Sequence, residues 1–381
     1  MLKLDPEQTI LKDTVSRWLT ENVSPIIVEH ERNRTFPFEI LSDLQRFGYL
    51  GGQISEVDGG HALPHVTWGV LMESAGYCWG SLRTLLNITN GAIKTLSRDG
   101  TDAQKERFLT PILQNQKKVC VALSEPNVGS DVRSVQTRAV LENDQYVING
   151  RKLWITNGVH ADYCLLLAQT HSPDCDGGLS IFVVEKDMPG FSSRLIPKMT
   201  LRPTATSELE FVDVKVPREN LIGREGKALS GMLGELNSAR VNIATGATGQ
   251  AQAALDLSIY YAKTRHQFGK PIGSFQLIQK HIVDMTIRTK AARALSYTAA
   301  QRLDDGDDAR EDCSIAKLYA TQAAFEVADM ALQVHGGLGY AEDYPIERIF
   351  RDTRGGQIPE GTSEVQTLIA GREILGLNAI S

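Results

Sequence analysis

The chain has 381 residues, a formal net charge of -6 and a sequence pI near 5.8. Charged residues make up 23% and hydrophobic residues 42% of it, which is typical of a globular protein with two or three domains. The acidic balance, without a basic run, argues against a nucleic-acid partner. No apolar run approaches transmembrane length, so no membrane partner is expected.

The cysteines are odd in number, scattered and without a C-x-x-C pair: Cys78, Cys120, Cys164, Cys175 and Cys313. Such a set is typical of reduced thiols and predicts neither a disulfide framework nor a metal site. The first residues, Met1 to Asp5, lack the basic-then-apolar layout of a signal peptide. We therefore expect a cytoplasmic protein.

Residues 1–115 show the helical period and predict an N-terminal α-helical domain. One predicted helix, Ser81–Leu96, is mostly apolar but carries Arg83, Asn87 and Asn90 along one narrow stripe. These polar groups either face solvent or line a polar pocket. The spacing favours neither alternative.

Residues 116–225 change to the two-residue alternation of half-buried strands, as in Leu209, Phe211, Val214 and Val216. The segment Tyr146–Ile155 is predicted to be a hairpin with Asn149-Gly150 at its turn. We expect a β-rich middle domain, built as a small barrel.

Residues 226–381 return to the helical period and predict a C-terminal four-helix bundle. Two apolar stripes support this interpretation. They consist of Ile278, Ile282, Met285, Ala292, Leu295 and Ala299, and of Ala316, Ala320, Ala323, Val327, Met330 and Val334.

A lone carboxylate, Glu360, lies between Pro359 and Gly361, just before a predicted helix. Ser363 is predicted to open that helix, with Gln366 as its capping-box partner. Proline fixes the approach of the chain and glycine leaves room for another group. Glu360 is thus placed to act as a base, although a solvated loop glutamate has the same local pattern.

The segment from Gln333 to Gln366 resembles the C-terminal signature of the acyl-CoA dehydrogenase family. The matching positions are Gln333, Gly336, Gly337, Gly339, Tyr340, Asp343, Arg348 and Asp352. The resemblance implies a mainly α fold: an N-terminal helical domain, a small β-barrel and a C-terminal four-helix bundle. It also implies an FAD cofactor and makes Glu360 the catalytic base.

Two further segments resemble the flavin-binding part of the family. Val121–Asp131 reads VALSEPNVGSD, and Trp154-Ile155-Thr156 matches the strand that packs on the flavin ring. The resemblance implies cofactor contacts from Val121, Leu123, Ser124, Gly129, Ser130, Trp154, Ile155 and Thr156. It also brings Ser130 to the acyl thioester. Val128 departs from the small residue usual in the family.

Arg265–Ile272 resembles the family segment R-x-Q-F-G-x-P-I. The resemblance implies that Arg265, Gln267, Phe268, Gln333, Gly336 and Gly337 contact the FAD of a neighbouring subunit. Thr362 and Glu364 are expected on the adenosine side. Because each FAD would be bound by two subunits, the resemblance implies a homotetramer. Neither a Rossmann fingerprint nor a P-loop is present to hold the cofactor in another way.

The substrate site is also implied by resemblance. Some family members place the base where this chain has Ala239, which cannot accept a proton, so Glu360 remains. Arg240 matches the CoA contact, and Asn237, Gly361, Arg83 and Asn87 are expected near the acyl chain. The Met199–Thr206 and Leu236–Arg240 segments look most like the glutaryl-CoA branch.

Arg83 matches an arginine of the glutaryl-CoA branch and of polyketide-pathway relatives, which predicts a substrate with a terminal carboxylate. Three functions follow: α,β-dehydrogenation of an acyl-CoA, oxidation of an acyl group on a carrier protein, or an idle binding protein on the same fold. The family reaction removes the α proton to Glu360 and the β hydride to flavin N5. Electron-transfer flavoprotein is then the expected acceptor.

Overall fold

Helices form both ends of the chain and a β-sheet forms its middle in the computed structural model, which describes residues 4–379. The first helices are α1 (Pro6–Asn22), α2 (Ile27–Asn33), α3 (Ile40–Gln45), α4 (His65–Cys78), α5 (Gly80–Asp99), α6 (Asp102–Gln104) and α7 (Thr110–Leu113). Helix α1 starts with a capping box, in which the side chain of Asp5 accepts from the backbone of Gln8 at 2.7 Å. The predicted α fold class with a β middle domain is confirmed.

The middle of the chain forms one eight-stranded sheet. Its strands are β1 (Val119–Ala122), β2 (Arg138–Glu142), β3 (Gln145–Ile155), β4 (Tyr163–Ser172), β5 (Cys175–Glu185), β6 (Phe191–Leu195), β7 (Ser207–Pro217) and β8 (Leu221–Ile222). The strands neighbour one another in the order β6-β7-β3-β2-β4-β5-β8, and β1 pairs parallel to β4. Leu209, Phe211, Val214 and Val216 are all buried, as their alternation predicts.

The hairpin predicted at Asn149-Gly150 is wrong. Strand β3 runs through these residues without a turn, and the hairpin turn lies instead at Asn143-Asp144, between β2 and β3. Asn143 adopts a left-handed φ of 56°, which suits a turn. Asn149 is held by β7, because it exchanges two 2.9 Å hydrogen bonds with Asp213. A strand partner has therefore overridden the local turn preference.

The last part of the chain is again helical. It comprises α8 (Ala228–Thr264), the short strands β9 (His266–Gln267) and β10 (Lys270–Pro271), α9 (Gln276–Asp304), α10 (Arg310–His335), α11 (Pro345–Gly355) and α12 (Ser363–Leu375). Helices α8, α9 and α10 pack on one another, α12 packs on α10, and α4 packs on α8. Alanines dominate the α10 face of this core and let the helices approach closely: Ala316, Ala320, Ala323, Ala324, Ala328 and Ala331. No helix within residues 4–379 is long and apolar enough to cross a membrane.

Candidate active site

The loop between α11 and α12 carries Glu360 in an unusual backbone conformation. Glu360 and Gly361 both have left-handed φ values, 56° and 84°. The φ of Gly361 favours glycine, and a Cβ there would lie 2.5 Å from Nε2 of Gln366 and displace that side chain. Gln366 donates to the carbonyls of Glu360 and Gly361 at 3.2 and 3.1 Å. The predicted capping box is wrong, because Thr362 is the N-cap and Gln366 supports the loop instead.

Polar and charged side chains from three helices surround the carboxylate of Glu360. Asn87 on α5 donates to Oε1 of Glu360 at 3.4 Å, and Asn242 on α8 donates to Asn87 at 3.1 Å. Burial raises the pKa of Glu360, and the charges of Lys317, Arg83 and Arg240 oppose that increase, as does Asn87. The carboxylate is therefore more basic than a free glutamate, as a proton acceptor requires.

Arg83 is buried beside this carboxylate, with 5% of its surface exposed. Its Nε has no hydrogen-bond partner within residues 4–379. Burial lowers the pKa of Arg83 to about 10, while Glu360 and Asp352 act in the opposite direction. The solvent-facing alternative for the Arg83 stripe is thus wrong. The three residues of the stripe do not share one environment. Asn90 forms hydrogen bonds with the backbone of Gly51 and Tyr49, whereas Arg83 and Asn87 lie near Glu360.

A second buried carboxylate, Asp352 on α11, ties the 199–206 segment to the helices. Its Oδ1 accepts from the backbone N–H of Leu201 at 2.7 Å. Burial raises the pKa of Asp352 to about 7, and the nearby carboxylate of Glu31 adds to the increase. Glu31 is itself held by the indole N–H of Trp79 at 2.8 Å. Glu31 lies on α2 and Trp79 caps the start of α5, so these contacts bring α2, the start of α5 and α11 together.

The structure brings together the two segments predicted to bind the flavin. The backbone N–H of Leu153 donates to the carbonyl of Ser124 at 2.9 Å, which docks the 121–131 loop on the end of β3. The next residue, Trp154, has a left-handed φ of 64° and is 60% exposed. Thr156 is half-buried and Ile155 is buried. An exposed indole beside hydroxyl groups is a suitable face for a flat aromatic cofactor.

A buried ion pair stabilises the 121–131 loop. Lys152 donates to Glu125 and to the carbonyl of Leu123, both at 2.9 Å. Glu125 also accepts from Thr137, through the hydroxyl at 2.6 Å and the backbone N–H at 2.9 Å. Val128, which departs from the family pattern, packs its side chain into the hydrophobic core.

The other predicted cofactor residues lie where the ends of α8 and α10 meet. The rings of Tyr261 and His335 stack there, with centroids 4.5 Å apart. The predicted contacts in this region are all exposed: Arg265, Gln267, Phe268, Gln333, Gly336 and Gly337. Gln333 lies 333 - 317 = 16 residues along α10 from Lys317, which contacts the Glu360 loop. At 1.5 Å per residue this is about 24 Å, so the chain does not bring these residues to Glu360.

The remaining predicted residues have simple placements. Arg240 is buried and donates to Asn237 at 2.7 Å, but its Nε has no partner in the described chain. Thr362 caps α12, whereas Glu364 is exposed in the first turn of that helix. Ser130 and Gly129 are exposed at the tip of their loop.

Sequence reasoning missed Lys317, Asn242 and Gly246. Lys317 had a detectable signal, because it falls on the same helical face as Cys313 and Ala324, where an apolar residue is expected. Asn242 interrupts the apolar α8 in a similar way. Gly246 gave no signal, since its role depends on the Arg83 side chain that packs against it.

Comparisons with known proteins identify the family of this chain. Models of the acyl-CoA dehydrogenase N-terminal, middle and C-terminal domains match residues 5–116, 120–214 and 229–375. The chain therefore belongs to the acyl-CoA dehydrogenase family. It is an FAD-dependent oxidoreductase that acts on acyl-CoA.

Three similar proteins illustrate the range of the family. Subunit CarC of the caffeyl-CoA reductase-Etf complex from Acetobacterium woodii is 38% identical, over 93% of this chain and 94% of its own. A short-chain-specific acyl-CoA dehydrogenase from Clostridium acetobutylicum is 36% identical, over 97% and 98%. The structure of a glutaryl-CoA dehydrogenase from Mycobacterium smegmatis in complex with FADH2 is 28% identical, with a TM-score of 0.94 over 99% and 97% of the two chains.

The residues present fit an FAD cofactor. Trp154 and Phe268 offer exposed aromatic faces, Phe268 being 92% exposed. Arg265 is exposed and has the planar fork of donors that suits a pyrophosphate. Ser124 and Thr156 add hydroxyl groups beside Trp154.

Proposed function

We propose that this protein catalyses the α,β-dehydrogenation of a short or dicarboxylic acyl-CoA, with Glu360 as the base. The observation that carries the proposal is the setting of this carboxylate. It is partly exposed, rests on a left-handed loop, and is faced by Arg83, Arg240 and Lys317. Such a group is reachable by a substrate and remains shielded enough to be a stronger base than a free carboxylate.

The chemistry follows from the acidity of the substrate. A carboxylate with a pKa of about 4.3 is too weak to remove an α proton unless the thioester carbonyl is polarised. In the proposed reaction Glu360 takes this proton at a carboxylate oxygen, while its own backbone N–H holds the thioester oxygen. FAD, when bound, supplies the hydride acceptor. Trp154 and Thr156 would hold the ring in place and exclude water from one side.

The experiment that tests this proposal is single-turnover flavin reduction by Glu360→Gln. Glutamine keeps the shape and can still accept from Asn87, but it lacks the basic oxygen. The rate should fall at least about 10²-fold while FAD remains bound. Glu29→Gln, at an exposed carboxylate on α2, is the matched control and should reduce flavin normally. Near-normal reduction by the Glu360 variant would assign the base to another group.

The acyl group is proposed from Arg83. Its guanidinium is buried beside Glu360 with an unpartnered Nε, and an unpaired buried charge is costly. A terminal carboxylate on the substrate, bound to the end of the guanidinium rather than to the buried Nε, would add a direct partner to the nearby charges of Glu360 and Asp352. The similarity to a glutaryl-CoA dehydrogenase supports this choice. The relatives compared above are named for CoA thioesters, so we propose CoA rather than a carrier protein as the acyl carrier.

The partners are proposed from the same comparisons and from the exposed cofactor residues. A relative that is 38% identical is named as a subunit of an Etf complex, which supports electron-transfer flavoprotein as the acceptor. Arg265, Phe268 and Gln333 are exposed, and about 24 Å of α10 separates Gln333 from the lysine at the Glu360 loop. A second subunit that shares its FAD would use these residues, which supports a homotetramer.

A further inference from the structure

Lys317 is a fully buried lysine on the inner face of α10, with 0% of its surface exposed. Its Nζ donates to the carbonyl of Gly361 at 2.6 Å and to that of Gln357 at 3.4 Å. Within residues 4–379 these two carbonyls are its hydrogen-bond partners, and both belong to the loop that carries Glu360. Burying an ammonium group without a directly paired carboxylate is costly, so a merely structural core would favour an apolar residue here.

The loop needs such support because of its backbone. A left-handed non-glycine residue such as Glu360 costs about 1–3 kcal/mol and persists only where its surroundings enforce it. Lys317 holds the carbonyls of Gln357 and Gly361, on either side of Glu360. Gln366 adds bonds to the carbonyls of Glu360 and Gly361. The two side chains together fix the direction in which the carboxylate points.

Lys317 also contributes charge to the site. Three cations face Glu360: Arg83 from α5, Arg240 from α8 and Lys317 from α10. Lys317 is the strongest of the groups that oppose the burial-driven rise in the pKa of Glu360. Burial lowers the pKa of Lys317 itself to about 8, and Glu360 and Glu364 act against that decrease. The ammonium form therefore predominates at neutral pH.

We propose that Lys317 is a positioning residue for the base: its hydrogen bonds fix the Gln357–Gly361 loop, and its charge stabilises the carboxylate form of Glu360. This inference rests on the proposed role of Glu360. It assigns to one buried lysine both the geometry and the ionisation of the base. Lys317 acts through the loop, because its side chain is fully buried and its Nζ donates to two loop carbonyls.

The test is the pH dependence of single-turnover flavin reduction by the FAD-loaded enzyme with butyryl-CoA. Lys317→Met removes the charge and the donors, whereas Lys317→Gln removes the charge but keeps a donor. Both variants should shift the midpoint of the rate increase to higher pH. Lys317→Met should also lower the limiting rate about 10- to 100-fold, as expected for a misplaced base, and Lys317→Gln should lower it less. Lys215→Met, at an exposed lysine on β7, is the matched control.

A second measurement follows the loop directly. Backbone amides of residues 357–361 should exchange hydrogen faster in Lys317→Met than in the control. A wild-type midpoint in either Lys317 variant would overturn the proposal. So would loss of FAD binding in both variants, because the lysine would then serve the fold alone. If Lys317→Met has wild-type kinetics and Glu360→Gln has lost its activity, only this inference about Lys317 is refuted. If Glu360→Gln remains active, the proposed function itself is refuted.

Discussion

The substitution Arg83→Ala tests how the enzyme selects its acyl group. The guanidinium is buried, its Nε is unpartnered in the described chain, and the side chain lies beside the proposed base. If it pairs with a substrate carboxylate, its removal leaves that carboxylate unpaired. Loss of one partner of a buried pair costs about 2–5 kcal/mol. The kcat/KM for glutaryl-CoA should then fall between about 30-fold and about 5,000-fold.

The same substitution should act differently on a substrate without the terminal charge. Butyryl-CoA offers no carboxylate to Arg83, so at a pH high enough to keep Glu360 ionised in both enzymes Arg83→Ala should change its kcat/KM far less than that for glutaryl-CoA. The ratio of the two kcat/KM values, measured with a dye as electron acceptor, isolates selectivity from any general loss of activity. Equal losses on both substrates would refute the reasoning, since Arg83 would then support the site as a whole.

Gly246→Ala provides a matched change that keeps the guanidinium. A Cβ at Gly246 would lie 2.7 Å from Cδ of Arg83, whereas ordinary contact begins at 3.4 Å. Arg83 must therefore move by about 3.4 - 2.7 = 0.7 Å. We expect Gly246→Ala to lose less of the preference for glutaryl-CoA than Arg83→Ala does. An unchanged preference would show that selection of the acyl group does not depend on the position of the arginine.

Three further predictions concern stability and assembly. Lys152→Met should lower the free energy of unfolding by about 3–5 kcal/mol, because it leaves the buried carboxylate of Glu125 without its lysine partner. Lys280→Met removes an exposed ion pair with Asp284 and should lower the free energy of unfolding by about 0.5 kcal/mol or less. Chemical denaturation of both variants checks this, and equal small losses would contradict it. The raised pKa of Asp352, about 7 against an ordinary 3.8, means that the folded state binds more protons between these values, so stability from this group is lost as pH increases from about 4 to about 7. Asp352→Asn should therefore gain stability relative to the wild type as pH increases from about 4 to about 7, and a constant difference across this range would refute the assignment. Finally, light scattering of the yellow protein should give a tetramer, and a 41.9 kDa species that retains FAD would contradict the shared cofactor site.

Most features that could be predicted from the sequence alone depend on contiguous segments of the chain. The order of the helical, β and helical parts follows from hydrophobic period, which each segment expresses on its own. The motifs around Ser124, Trp154, Arg265 and Glu360 are also contiguous, so their spacing was readable before any packing was known. The placement of Glu360 before a helix required only Pro359, Gly361 and a following cap.

Tertiary structure decided the features that depend on a distant partner. Asn149-Gly150 has the chemistry of a turn, but Asp213 on another strand holds it extended. The Arg83 stripe was equally compatible with solvent and with a pocket, because burial is a property of the neighbouring helices rather than of the stripe. Gly246, on another helix, makes room for that side chain.

The immediate surroundings of the base were the least predictable part of the chain. Lys317 reaches the Glu360 loop across 44 residues, and Asn242 reaches Asn87 across 155. Local sequence cannot show such contacts, since the helices that bring these side chains together are set by their apolar faces and not by the polar residues themselves. The sequence by itself determined which residue is the candidate base. Only the packing of α5, α8 and α10 determined which charges surround it and how its backbone is held.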